Sequence, residues 1–278
     1  MIKIKLKKPF KLSDTITCGQ LFRYFEDNGS YDIILKDRVM NVYVNDNYLY
    51  ASSNNEDNLK DIVMNYFDLN NNYESINNII KEKDINIKEA VDYSNGLMML
   101  RQDPFETLIA YIISANNGVP QITNALNIIA KRYGKKVLFN NKEYYLFPSY
   151  QDLKDVSIEE FRSCKVGFRD RYIKNIINKL NNRELDLNKY YDMKTEDALD
   201  DLMTNDGIGP KVASCILLFA YQKYDVFPID TWVKKIMKDK YGIEKERQIR
   251  KFAKDTYGMY SGIALQYLFN YSRNKKGV

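Results

Sequence analysis

The feature that most constrains the fold is a change of hydrophobic period near residue 95. Before it, Ile2, Ile4 and Leu6 alternate with lysines, and "YDIIL", "VMNVYV" and "YLYA" are short β-branched and aromatic runs, with "NDN" at 45–47 as a turn. Period-two runs bounded by turn residues predict an antiparallel meander, here followed by a helix near "NLKDIVMNYF". From residue 96 the apolar residues recur at helical spacing: Phe105, Leu108, Ile109, Ile112 and Ile113 lie on one face. Asp103 is the expected N-cap of that helix, Pro104 its first residue and Glu106 the reciprocal capping partner. Further helices are expected near 119–133, 157–164, 170–181, 195–204, 210–221, 230–241, 244–256 and 260–273. The pattern predicts an α+β chain of two packed domains, a β-rich unit at 1–95 and a helical unit at 96–278, with no flexible linker between them. The many asparagines read as compositional bias.

The 278 residues contain no histidine, which excludes Ser-His-Asp and Cys-His catalysis and every His-ligated metal site. Cys18, Cys164 and Cys215 are widely spaced and form no C-x-x-C pair, so neither a disulfide framework nor a cysteine-bound metal is expected, and no cofactor is implied. The cysteine usage suits a reducing, cytoplasmic setting, and neither a signal peptide nor a membrane span is seen. A net charge of +5 agrees with a nucleic-acid partner without requiring one.

The chemistry concentrates in "LMTNDGIGPKVASCILLFA". Gly207 and Gly209 are expected to supply the positive φ of a tight turn between helices, Ile208 to pin that turn to the core, and Pro210 to open the second helix. Backbone N–H groups bared at such a turn can bind one phosphate; an ordinary helix–helix connection is the plainer alternative. Lys211 stands in the first turn of a helix, where the dipole disfavours a cation by a few tenths to ~1 kcal/mol. Phosphate binding is one reason for it. The other is nucleophilic: an amine must be neutral to attack, and a positive helix end with burial favours the neutral form. Cys215 falls one turn on, on the same face, as core filler or as a flat contact for a base. In "VFPIDTW", Asp230 reads as an N-cap that helix packing can carry into the same cleft as Lys211.

Helix, "GIGPK", apolar helix and "FPID" together resemble the helix-hairpin-helix (HhH-GPD) DNA glycosylase superfamily. The iron-sulfur branch fits poorly, since no cysteine follows Cys215. "CGQLFRYF", "RQDPFETLIAYIISANN", "GFRDRY" and "SGIALQYLF" resemble the 8-oxoguanine DNA glycosylases over essentially the whole chain. That resemblance implies a TBP-like β-rich domain before an all-helical core, and a monomer that repairs double-stranded DNA carrying an oxidised purine. It implies Lys211 as nucleophile at C1′, with lyase activity by β-elimination, and Asp230 as stabiliser of charge on the sugar. Gly19 would accept the N7–H that distinguishes 8-oxoguanine from guanine, and Cys215 and Phe269 would sandwich the extruded base. Asn116, Phe168 and Arg169 would fill the gap in the duplex and meet the orphaned cytosine; Gly207 and Gly209 would hold the backbone.

Two positions depart from the pattern. Leu265 stands where a glutamine usually reads the base edge one turn before the aromatic, with Gln266 turned aside by roughly 100°. Gln121 stands where some members place an arginine, which predicts weaker discrimination of the opposite base. A glycosylase for another damaged base, or a non-catalytic DNA-binding protein, are the alternatives.

Overall fold

A computed structural model describes residues 1–275. The N-terminal part holds β1 (Ile2–Lys5), α1 (Leu12–Thr17), β2 (Tyr24–Asp27), β3 (Ser30–Ile34), β4 (Val39–Asn45), β5 (Tyr48–Ser53) and α2 (Leu59–Tyr66). The strands form one antiparallel sheet in the order β1-β5-β4-β3-β2. Alternation sends Ile4, Ile33, Met40, Val42, Leu49 and Ala51 to one face, where they bury against Leu12 and Ile16 of α1 and Leu59 and Val63 of α2. Three hairpins in the molecule turn on residues in the left-handed region: Asn28 and Gly29, Asp46, and Asn140 with Asn141. Of the ten non-glycine residues there, five are asparagine (Asn28, Asn58, Asn116, Asn140, Asn141). Asparagine tolerates that conformation better than most residues, so part of its abundance is turn chemistry rather than bias.

The helical part follows: α3 (Tyr73–Lys83), α4 (Lys88–Tyr93), α5 (Pro104–Ser114), α6 (Val119–Tyr133), the hairpin β6 (Lys136–Phe139) and β7 (Lys142–Tyr145), α7 (Ile158–Phe161), α8 (Asp170–Asn181), α9 (Lys189–Asp192), α10 (Thr195–Met203), α11 (Pro210–Tyr221), α12 (Thr231–Tyr241), α13 (Glu246–Thr256) and α14 (Ser261–Lys275). At the centre, α11 buries every residue from Val212 to Tyr221. It runs antiparallel to α5: Gln102 N donates to the Phe219 carbonyl at 3.0 Å beside one end, and Lys211 meets Ser114 at the other.

Three expectations need correction. Residues Tyr73, Ile76, Ile80, Ile87 and Val91 of 73–93 pack in the helical core, so a boundary at 95 does not follow the packing. The helical core is interrupted by β6 and β7, whose Tyr144 Oη donates to Asp32 of the sheet at 2.5 Å. Glu106 is not a reciprocal cap: Asp103 Oδ1 accepts from the Phe105 and Glu106 N–H groups as expected, but the Glu106 carboxylate turns to the buried Arg23 guanidinium at 3.0 Å. Burial pushes the Glu106 carboxyl up, against the pull of Arg23.

Candidate active site

The turn between α10 and α11 delivers Lys211. Gly207 has φ +82, and a Cβ there would lie 2.6 Å from the Tyr172 ring, so only glycine fits. Gly209 differs from expectation: with φ −88 and ψ 179 it is extended backbone at the N-cap of α11, and a Cβ there would touch nothing. Ile208 is buried, and its N–H closes the turn on the Asn205 carbonyl at 3.1 Å.

From the start of α11, Lys211 Nζ reaches the end of α5 and donates to Ser114 Oγ at 3.0 Å. It sits 5.2 Å from the centre of the Tyr111 ring, which itself stacks on Phe219 and meets Phe22 edge-on. One turn further along α11, Cys215 is 4% exposed. Burial pushes its thiol up to about 11; Lys211 opposes the shift and Asp230 adds to it, which puts all three in one electrostatic neighbourhood. Asp230 caps α12, its Oδ1 accepting from Val233 N–H at 2.8 Å. Cap and site member are thus the same residue.

The opposite wall comes from both ends of the chain. Gly19 has φ +87 and lies against Phe269: a Cβ at Gly19 would stand 3.4 Å from Phe269 Cε1. Gln20 fixes this turn from below, its Nε2 donating to the Met98 carbonyl at 2.8 Å and its Oε1 accepting from Leu100 N–H at 2.9 Å. From α14, Gln266 Nε2 donates to the Cys18 carbonyl at 2.8 Å, which holds the turn. Leu265 is buried and brings no hydrogen-bonding group. Cys18 and Cys215 both raise the pKa of the buried Tyr111 phenol, second to burial itself, which ties this wall to the Lys211 side.

Asn116 is exposed with φ 51 just past α5, and Phe168 is 59% exposed, not core. Arg169 is neither solvated nor reaching outward: it is 6% exposed, with its guanidinium donating to the Val166 and Ala115 carbonyls and lying 4.4 Å from the Phe168 ring centre. It braces the 166–169 turn against the end of α5. Gln121 is exposed beside Gly118. Ser114, Gln20 and Arg23 carry no signal in the sequence, because their partners lie far along the chain. Two cavities, of about 1020 and 420 Å³, sit at the other end of α5 around Asp103 and Glu106, and neither is lined by Lys211. Among the described residues no group of His, Cys, Asp or Glu could hold a metal ion, and no helix is long and apolar enough to cross a membrane.

Residues 109–257 match the HhH-GPD superfamily base excision DNA repair protein, and residues 1–108 match the 8-oxoguanine DNA glycosylase N-terminal domain. A hairpin-borne lysine beside an aspartate, on a helical core preceded by a sheet, is thus the architecture of a known class: the chain belongs to the HhH-GPD superfamily of base excision DNA repair proteins, in the branch that carries the 8-oxoguanine DNA glycosylase N-terminal domain. More particularly, it is 32% identical over 229 residues, 74% of this chain and 72% of the relative, to a Methanothermobacter thermautotrophicus protein named "Probable N-glycosylase/DNA lyase". It superposes with TM-score 0.92 and 36% identity, over 99% of both chains, on Clostridium acetobutylicum 8-oxoguanine glycosylase/lyase in complex with DNA containing cytosine opposite 8-oxoG. An Archaeoglobus fulgidus 3-methyladenine DNA glycosylase shares the fold at TM-score 0.82 and 22% identity.

Proposed function

We propose that this protein excises 8-oxoguanine from duplex DNA and then cuts the strand, with Lys211 as nucleophile. The observation that carries the reading is the lysine amine at the junction of α5 and α11, beside a buried thiol and the Asp230 carboxylate. Neutral Lys211 attacks C1′; the C1′–N9 bond breaks, its electron pair leaving with the base, which takes up a proton. The carboxylate of Asp230 stabilises positive charge on the sugar during that step. Opening of the sugar gives the Schiff base, and loss of a C2′ proton expels the 3′ phosphate by β-elimination. Gly19, Cys215 and Phe269 take the extruded base, and Gly207 and Gly209 seat a phosphate. Asn116 and Phe168 face the duplex; for Arg169 to meet the orphaned cytosine it must leave its two carbonyls. With Leu265 apolar and the Gln266 Nε2 held by the Cys18 carbonyl, discrimination of the base rests chiefly on the Gly19 carbonyl, since mispairing a buried acceptor costs ~1–3 kcal/mol. The protein acts as a monomer on DNA, its sheet-bearing part buttressing the helical one.

Borohydride trapping on an 8-oxoguanine duplex tests this. Native protein gives a covalent adduct; Lys211→Gln gives none and binds the duplex with affinity within a few-fold of native. No adduct with native protein would sink the proposal. The apolar Leu265 favours a second reading, excision of a different damaged base, and a panel of lesion duplexes separates the two by which base is released.

A further inference from the structure

Among the described residues Lys211 Nζ makes one hydrogen bond, to a hydroxyl whose own proton is committed elsewhere. Ser114 Oγ accepts from Lys211 at 3.0 Å and donates to the Tyr111 carbonyl, one helical turn back, at 2.7 Å. Ser114 is 8% exposed, so water does not readily take over either contact. A serine hydroxyl has one hydrogen and two lone pairs. With its hydrogen held by the Tyr111 carbonyl, Ser114 faces the amine as an acceptor only. The distinction matters for a neutral amine: a hydroxyl with a free proton would donate to the nitrogen lone pair and occupy the electrons that attack.

We propose that Ser114 is a positioning residue for the Lys211 nucleophile, fixing one N–H while its back-bond to Tyr111 keeps it from capping the lone pair. The proposal rests on Lys211 being the nucleophile. It acts on the amine and not on the base, so it bears equally on attack at 8-oxoguanine and at a ready-made abasic site.

The test is single-turnover borohydride trapping on an abasic duplex with native protein, Ser114→Thr and Ser114→Val. Threonine keeps a hydroxyl that can bond the carbonyl three residues back, and valine copies its shape without the oxygen. We expect the threonine variant within about threefold of native and the valine variant slower by about tenfold or more, with equal duplex affinity. A role confined to packing would not move the rate ratio of this isosteric pair. Equal rates for the two variants, with native protein trapped normally, overturn this proposal alone. Failure of native protein to form any adduct would instead fall on Lys211 itself.

Discussion

Cys215 illustrates how one side chain is committed by its surroundings. Burial beside α5 pushes its thiol from 9.0 up to about 11, so the folded protein holds that proton more tightly than the unfolded chain does. Its contribution to stability is therefore complete below pH 9 and is lost as pH rises through about 11, to a total of ~2–3 kcal/mol. The melting temperature of native protein is expected to fall more steeply between pH 9 and 11 than that of Cys215→Ala; parallel curves would show that the thiol is not held this way. At the same scale, the sequence spoke clearly where a residue's reason is local. Lys211 is conspicuous because it opposes a helix dipole within its own first turn, and Asp230 because it precedes a helix. Ser114 carries no such mark, since its meaning comes from a lysine 97 positions away. The same holds for Arg23, buried and paired with Glu106 across 83 positions.

Among elements, strong periodicity was readable and short or composite segments were not. The helices α5, α6, α8 and α11 stand close to where apolar spacing and caps place them. The β2–β3 hairpin and α3 fall outside the elements that the pattern predicts, although Asn28-Gly29 is a strong hairpin signal and Tyr73, Ile76 and Ile80 share one helical face. The turn before α11 yields a paired prediction. Gly207→Ala places a side chain at φ +82 against the Tyr172 ring and should cost ~2 kcal/mol or more, lowering the melting temperature by at least about 4 °C and weakening duplex binding. Gly209→Ala meets neither obstacle and should melt within about 2 °C of native. Comparable losses in both would mean that the two glycines share one role.

Across the whole molecule, buried polar links join the sheet side to the helical side. Asp68, just after α2, receives Arg101 at 2.6 Å, Tyr73 at 2.9 Å and Tyr224 at 3.2 Å. Within the helical side, Asp84 likewise receives Tyr241 at 2.7 Å and Tyr257 at 2.5 Å. Breaking one partner from such a buried group leaves the other unsatisfied, at ~1–3 kcal/mol each, so partial unfolding is penalised. Denaturation followed by fluorescence of the lone Trp232 in α12 and by far-ultraviolet circular dichroism should give coincident midpoints; separated midpoints would show two independently unfolding units. The Gln266 bond to the Cys18 carbonyl spans 248 positions, and Arg273 adds a second tie to Thr17. During synthesis the Gly19 turn emerges early and waits for α14 to arrive before it is anchored. A ribosome-bound chain cut short before α14 can display Lys211 while the Gly19–Phe269 contact is unmade, so on the proposed reading competence for repair is acquired late in translation rather than gradually.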